Sequence, residues 1–284
     1  MATESYVAVT PVRNEASYIR EALDSMLSQT IKPVEWVIVD DGSTDQTPEI
    51  IREYSARNPW IKLIRLPGTE RLRGGHIVGL FYRGLAAVNS SFEYIVKLDG
   101  DLSFDPDFFE KALKRMYLNP ALGITSGIRH IRVNGGLVEE RSAERHTHGS
   151  CKIYRKRCLD DIGGLIPAMG WDGIDEIKAR MKGWTAEPVA GLRVIHLRPE
   201  DKAAVTFRSG AERGRGSYFM GYHPVFLLVR AIKCAIKSPL DGIGMLYGYL
   251  KAILTSGERI DDADFIKYLR SNQLKRLFLI KDRV

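Results

Sequence analysis

Cysteine is scarce in this chain of 284 residues: Cys151, Cys158 and Cys234 are the only three, and no two form a C-x-x-C pair. Such a set excludes a disulfide framework and argues against a structural zinc, as in a reducing compartment. A long apolar run is also missing. The stretch LDGIGMLYGYLKAIL (240–254) is strongly apolar, but it has 15 residues and includes Asp241, Lys251 and three glycines. A helix needs roughly 20 to cross a bilayer, so crossing is not expected. The start, MATESYVAVTPV, has neither the basic segment nor the apolar core of a leader, so no cleaved signal is expected. Internal repeats and low-complexity tracts are absent, and solenoid and biased-composition classes drop out with them.

What is present is a globular composition, 44% hydrophobic and 27% charged, with enough apolar material for a sizeable core. The net charge of +7 is uneven, with Arg208, Arg213, Arg215, Arg230, Lys233, Lys237 and Lys251 gathered toward the C-terminus. A basic tail can meet nucleic acid, anionic lipid or a phosphorylated ligand, or it can be a solvated face.

Apolar patterning predicts strands at 5–10, 34–41, 60–66 and 92–98, with helices between them over 15–28, 47–57 and 74–88. Strand–helix alternation of this kind builds a mostly parallel sheet covered on both faces. Thr47 before Pro48 and Asp105 before Pro106 read as N-cap and first helical residue. Further on come a strand over 123–131, a polar loop with His146 and His148, a short amphipathic helix within 171–184 and a strand at 193–199. The Gly- and Arg-rich stretch RSGAERGRGS (208–217) reads as a mobile loop.

Ligands on parallel sheets bind outside the carboxyl ends of the strands. Asp40 and Asp41 end one predicted strand; Asp99 and Asp101 follow another, in YIVKLDGDLSF. Both pairs should therefore face one rim. A D-x-D on a loop offers two hard oxygen donors, which suit Mg2+ or Mn2+ completed by phosphate and water. His146 and His148 have no third ligand in view, and read as acceptor-side or solvated residues.

The segment VAVTPVRNEASYIREALDSMLSQTIKPVEWVIVDDGSTDQTPEII, followed by YIVKLDGDLSF, resembles the family 2 glycosyltransferases over roughly residues 5 to 200. The resemblance implies an α/β GT-A fold, Rossmann-like, with a mostly parallel central sheet flanked by helices and a C-terminal helical extension. It implies a catalytic domain over 1–205; beyond it, the residue pattern reads as a basic helical extension over 206–284. Thr10, Pro11, Glu15 and Asp41 would line the base pocket, Asp99 would lie by the ribose and diphosphate, and Asp101 would hold the divalent metal, Mn2+ or Mg2+. His196, in VIHLRP, would complete the metal site or touch the diphosphate. The family's general base maps onto GWDGIDEIKARMKGW, where Asp172 takes the position and Asp175 is the alternative under a shifted alignment. The family's first acid is Trp171 here, and its Arg-Asn pair before Gly-Leu is Phe81-Tyr82. Arg71, with Arg73, would then supply positive charge.

The implied activity is inverting, metal-assisted transfer of a sugar from a nucleotide-diphosphate donor to a hydroxyl of a glycan or lipid-linked glycan. The enzyme would be a hexosyltransferase of polysaccharide or cell-envelope synthesis. Two other readings stay open. A sugar-nucleotide-forming nucleotidyltransferase would begin with a Gly-rich loop, whereas TPVRNEA has no glycine. A non-catalytic nucleotide-sugar or nucleic-acid binding module would use the basic tail, but rim carboxylates repel phosphates without metal, so nucleic acid is not expected. Arg208, Arg213 and Arg215 could close as a lid over a diphosphate. The apolar tail segments would lie on a membrane surface, with Tyr247 and Tyr249 at headgroup level, or pack on the core or a second subunit. The expected location is cytoplasmic, with peripheral contact at the inner face of the membrane.

Overall fold

The computed structural model describes residues 5–68, 75–133, 135–140, 146–198 and 206–278. It divides into one unit of Met1–Pro167 with Trp171–Pro199 and a second of Ala168–Gly170 with Glu200–Val284.

In the first unit, β1 (Tyr6–Val12), β2 (Glu35–Asp41), β3 (Ile61–Leu66) and β4 (Tyr94–Leu98) run parallel in the order β3-β2-β1-β4. Helices α1 (Ile19–Leu27), α2 (Thr47–Arg57) and α3 (Gly75–Leu85) connect them. Every residue of β1, β2 and β4 is buried, which is why these strands are nearly continuous in apolar residues. Alternate residues serve opposite faces. Ala8, Trp36, Ile38 and Val96 meet Ile19, Leu23 and Met26 of α1. Val7, Val9, Val37 and Val39 meet Val78 and Phe81 of α3. α3 lies so close that a Cβ on Gly84 would stand 2.4 Å from Val9 Cγ1.

The rest of this unit comprises β5 (Leu102–Phe104), α4 (Phe108–Leu118), β6 (Leu122–Val133), β7 (Gly136–Glu139), β8 (Cys151–Arg155), α5 (Lys156–Asp161), α6 (Trp171–Met181) and β9 (Thr185–His196). One nine-stranded sheet results, ordered β3-β2-β1-β4-β8-β6-β9-β5, with β7 on β6. β8 is antiparallel to both β4 and β6, and β9 is parallel to β6 and antiparallel to β5. The sheet is therefore mixed, parallel where strands alternate with helices. The β5–β9 pairing sets His196 opposite Leu102, one residue from Asp101.

Two helix starts differ from expectation. Asp45, rather than Thr47, supplies the side chain at the start of α2, accepting from the Thr47 N–H at 3.0 Å and its hydroxyl at 2.6 Å. The Thr47 hydroxyl is then used to accept from the Glu15 N–H at 2.8 Å. α4 begins at Phe108 without a side-chain cap; the Asp105 carboxylate pairs with Arg193 through two 3.0 Å contacts instead.

The second unit holds α7 (Phe207–Phe219), α8 (Pro224–Lys237), α9 (Pro239–Leu254) and α10 (Ala263–Leu277). The 208–217 stretch, expected as a mobile loop, lies within α7, which starts in a capping box between Thr206 and Ser209. Glycines of both helices serve close backbone approach: a Cβ on Gly214 of α7 would lie 2.0 Å from the Met245 carbonyl oxygen, and one on Gly248 of α9 2.0 Å from that of Ala211. Arg213 pairs with buried Asp241. Leu227 and Ala231 of α8 pack with Met245 and Tyr249 of α9. Among the described residues, no helix is long and apolar enough to cross a membrane.

Candidate functional site

A cavity of about 740 Å³ opens at the carboxyl ends of β1, β2 and β4, lined among others by Pro11, Glu15, Asp41, Asp99 and Asp101. The loop after β1 is fixed by its neighbours. Asn14 takes a left-handed φ of 55°, a conformation asparagine tolerates; its N–H donates to Ser43 Oγ at 2.8 Å, and its side-chain oxygen accepts from the Thr44 N–H at 2.9 Å. Gly42 is left-handed as well, and a Cβ there would meet Gly68 Cα at 2.5 Å. In VDDGST the glycine is thus required twice over, by conformation and by contact.

The two aspartates of β2 separate. Asp40 turns away from the cavity and accepts from the Ser43 N–H at 3.0 Å. Asp41 lines it, 2% exposed, with His76 Nε2 at 2.8 Å and Arg13 at 3.3 Å from one carboxylate oxygen. Thr10 is fully buried and its hydroxyl accepts from Trp36 Nε1 at 2.8 Å; it is absent from the cavity lining. Arg71 and Arg73 lie outside the described residues.

The D-x-D residues both line the cavity and differ in partners. Burial raises the Asp99 pKa, opposed by the ammonium of Lys97, which pairs with it and donates to the Gly149 carbonyl at 2.8 Å. Burial would also raise Asp101, but His196 and Arg198 outweigh it and hold the carboxyl below its ordinary range. His196 Nε2 stands 3.3 Å from Asp101 Oδ2 and Arg198 Nε 3.1 Å from the same oxygen. Arg198 also reaches Glu15 at 2.5 Å and lies 5.1 Å from the centre of the Tyr18 ring.

Asp101 Oδ2 and His196 Nε2, 3.3 Å apart, are the groups here that could hold a divalent cation of the Mg2+ or Mn2+ kind. Asp101 and His196 converge, and His196 Nδ1 is buried without a hydrogen-bond partner among the described residues. No cluster of three or more His, Cys, Asp or Glu able to hold a metal occurs among those residues. Asp101 and His196 would supply one carboxylate and one imidazole, leaving the other positions of such a cation to water and phosphate.

Beyond Gly149, Asp172 and Asp175 sit in different settings. Asp172 has a side chain 32% exposed, with His146 Nε2 at 3.7 Å. A Cβ on Gly149 would crowd its carboxylate at 2.9 Å, so the glycine leaves that oxygen room. Asp175 is buried, both oxygens 2.8 Å from Lys152 Nζ and one 2.6 Å from the Tyr154 hydroxyl. Burial pushes Asp175 up to about 6 against the pull of Lys152. Burial also acts on Asp172, but His146 and Lys152 prevail and hold it at about 2. His146 Nδ1 reaches Glu176 at 3.0 Å, and Glu176 accepts from the N–H and hydroxyl of Thr147. His146 is thus a bridge between two carboxylates. Arg13, His76, Arg198 and Lys97 have no site role in the sequence reading, and His146, read as acceptor-side or solvated, lies beside Asp172. Two of these had legible signals: Lys97 is a charge inside a buried strand, and Arg198 follows His196 at i+2.

The bridge makes a pH prediction. Asp172 and Glu176 raise His146 to about 9, from roughly 6.5 in an unfolded chain. Between these values the folded state holds the proton more tightly, so the stabilisation is complete below roughly pH 6.5 and is lost as pH rises through about 9. The melting-temperature gap between the native chain and His146→Gln should narrow across that window. A gap independent of pH would show that no imidazolium bridge forms.

The model of Glycosyl transferase family 2 matches residues 7–171. Chondroitin synthase of Pasteurella multocida (strain Pm70) is 30% identical over 129 residues, 45% of this chain and 12% of that synthase. Glycosyltransferase GlyA of Streptococcus pneumoniae is 32% identical over 113 residues, 40% of this chain and 15% of GlyA. The chain therefore spans a small fraction of these relatives. Among solved structures, the mannosyltransferase PcManGT from Pyrobaculum calidifontis, in complex with GDP-Man and Mn2+, superposes with a TM-score of 0.56 at 19% identity, covering 98% of this chain and 76% of that one. Residues 1–349 of TarS from S. aureus superpose at 0.57 and 17% identity, covering 95% and 82%. These likenesses establish the GT-A fold.

Proposed function

The chain belongs to glycosyl transferase family 2, and from that premise we propose that it transfers a sugar, with inversion and metal assistance, from a nucleotide-diphosphate donor to a hydroxyl acceptor. The observation that carries the reading is the set of acids on one rim, Asp41, Asp99 and Asp101, joined there by Arg198. The nucleotide-sugar and Mn2+ named with PcManGT, and the sugar-nucleotide UDP-GlcNAc named with TarS, support the same donor class.

In this reading Asp41 accepts from the base, oriented by His76 and Arg13. Asp99 lies by the ribose and diphosphate, and Asp101 with His196 holds the cation. A cation held by Asp101 and His196 would supply Lewis-acid neutralisation of a diphosphate leaving group. Arg198 adds a fixed positive charge at the same place. Asp172 receives the acceptor proton. Its low pKa makes it a weak base, so the proton leaves late, as the acceptor oxygen bonds to the anomeric carbon and becomes acidic. The bond from that carbon to the diphosphate breaks with its electron pair going to the leaving oxygen. Asp175 and Lys152 instead hold the start of α6. Residues 1–205 would form the catalytic domain and 206–284 an extension. The acceptor would be a glycan or lipid-linked glycan, met at the inner face of a membrane.

Proton NMR of the product tests the stereochemistry. An α-linked donor should give a β-linked product, and retention of the α configuration would overturn direct displacement at one carboxylate.

A further inference from the structure

Helices α8 and α9 leave large apolar side chains in solvent. On α8 these are Val225, Leu228, Ile232 and Ile236, the last 80% exposed. Their 3-4-4 spacing makes one stripe. On α9, Leu240, Ile243, Tyr247, Leu250 and Leu254 follow a 3-4-3-4 spacing, with Leu254 84% exposed. Each helix has already used another face for packing, through Leu227 and Ala231 and through Met245 and Tyr249. The stripes are therefore additional to the core of this unit. Exposed apolar surface of this extent marks an interaction site.

Charge selects the partner. From Pro224 to Gly257 the sole acid is Asp241, which is buried and paired with Arg213. Lys233, Lys237 and Lys251 are exposed on the same two helices. We propose that α8 and α9 form a docking surface for an anionic lipid bilayer, with the apolar stripes entering the interface and the lysines meeting phosphate headgroups. A second copy of the chain fits less well: a two-fold contact would set this lysine-bearing surface against itself, with no acid to pair. Spanning is excluded by length. The 16 residues of α9 extend about 24 Å, short of the roughly 30 Å hydrocarbon core. Helices of this kind lie in the interface plane.

The test is co-sedimentation of the full chain with vesicles of phosphatidylcholine alone or of equimolar phosphatidylcholine and phosphatidylglycerol. The protein should sediment with the mixed vesicles, and high salt should weaken this. Each lysine changed to glutamine should cost about fivefold in partitioning. Ile236→Glu with Leu254→Glu should lower it at least about tenfold. Both positions are solvent-exposed, so circular dichroism and nucleotide binding should be unchanged. The nucleotide measurement keeps failure of this inference distinct from failure of the donor reading. Absence of sedimentation, sedimentation untouched by the double variant, or a dimer in ultracentrifugation that the double variant dissolves would each overturn the proposal.

Discussion

Asp101→Ala should weaken manganese-dependent nucleotide binding by about a hundredfold or more, read by calorimetry. Loss of a group that merely supports a metal ligand costs about 10- to 100-fold in affinity, and Asp101 is assigned as a ligand itself. Its electrostatic setting agrees with that assignment. His196 and Arg198 meet one of its oxygens at 3.3 and 3.1 Å and hold the carboxyl below its ordinary range, so it is ionised and available to a cation. Removing the carboxylate takes away the anionic ligand while Arg198, still paired with Glu15, keeps its positive charge beside the site, which further opposes a cation. The manganese-free component of nucleotide binding should change little, because Asp41 with its partners His76 and Arg13 is untouched. An equal loss with and without manganese would mean that Asp101 supports the fold of the pocket and not the cation.

Asp172→Asn should lower kcat by up to about 10⁴-fold, the upper end for a positioned base, and leave nucleotide affinity unchanged. The asparagine is isosteric, so the close approach of Gly149 to residue 172 and to Trp171 persists while the proton acceptor is lost. Asp175→Asn should behave differently. It removes the nearer of two countercharges from Lys152, which has no exposed surface and keeps Glu176 at 3.7 Å, and breaking a buried pair destabilises by up to about 3–5 kcal/mol. Its signature is a fall in melting temperature rather than a selective loss of turnover. If Asp172→Asn turned over normally and Asp175→Asn melted normally but was inert, the roles would be reversed.

Much of the fold was legible because the parallel half obeys one local rule: buried strands alternate with helices that carry a single apolar stripe. VEWVIVDD and YIVKL follow it and are strands in the structure. The antiparallel half was less so. β8 pairs with β4 and β6 through contacts distant in sequence, and no periodicity encodes which neighbour a strand will choose. The glycines of 208–217 misled for a related reason. Locally they favour a loop, but the approach of α9 converts them into a helix contact surface. Around the rim, residues ending strands could be found from the strand pattern, hence Asp41, Asp99 and Asp101. Those arriving from elsewhere, such as His76 from α3 and His146 from the segment before β8, depend on tertiary placement. Thr10 illustrates the converse: it ends up facing Trp36, and its alternation along β1 alone does not reveal which neighbour claims the hydroxyl.

The most direct measurement is diffraction at the manganese absorption edge from crystals soaked with manganese and the nucleotide diphosphate that binds tightest. The account predicts an anomalous peak coordinated by Asp101 and His196, with the diphosphate on its far side and the base against Asp41. A peak elsewhere, with the Asp99 and Asp101 side chains turned to solvent and the nucleotide bound at another surface, would contradict it.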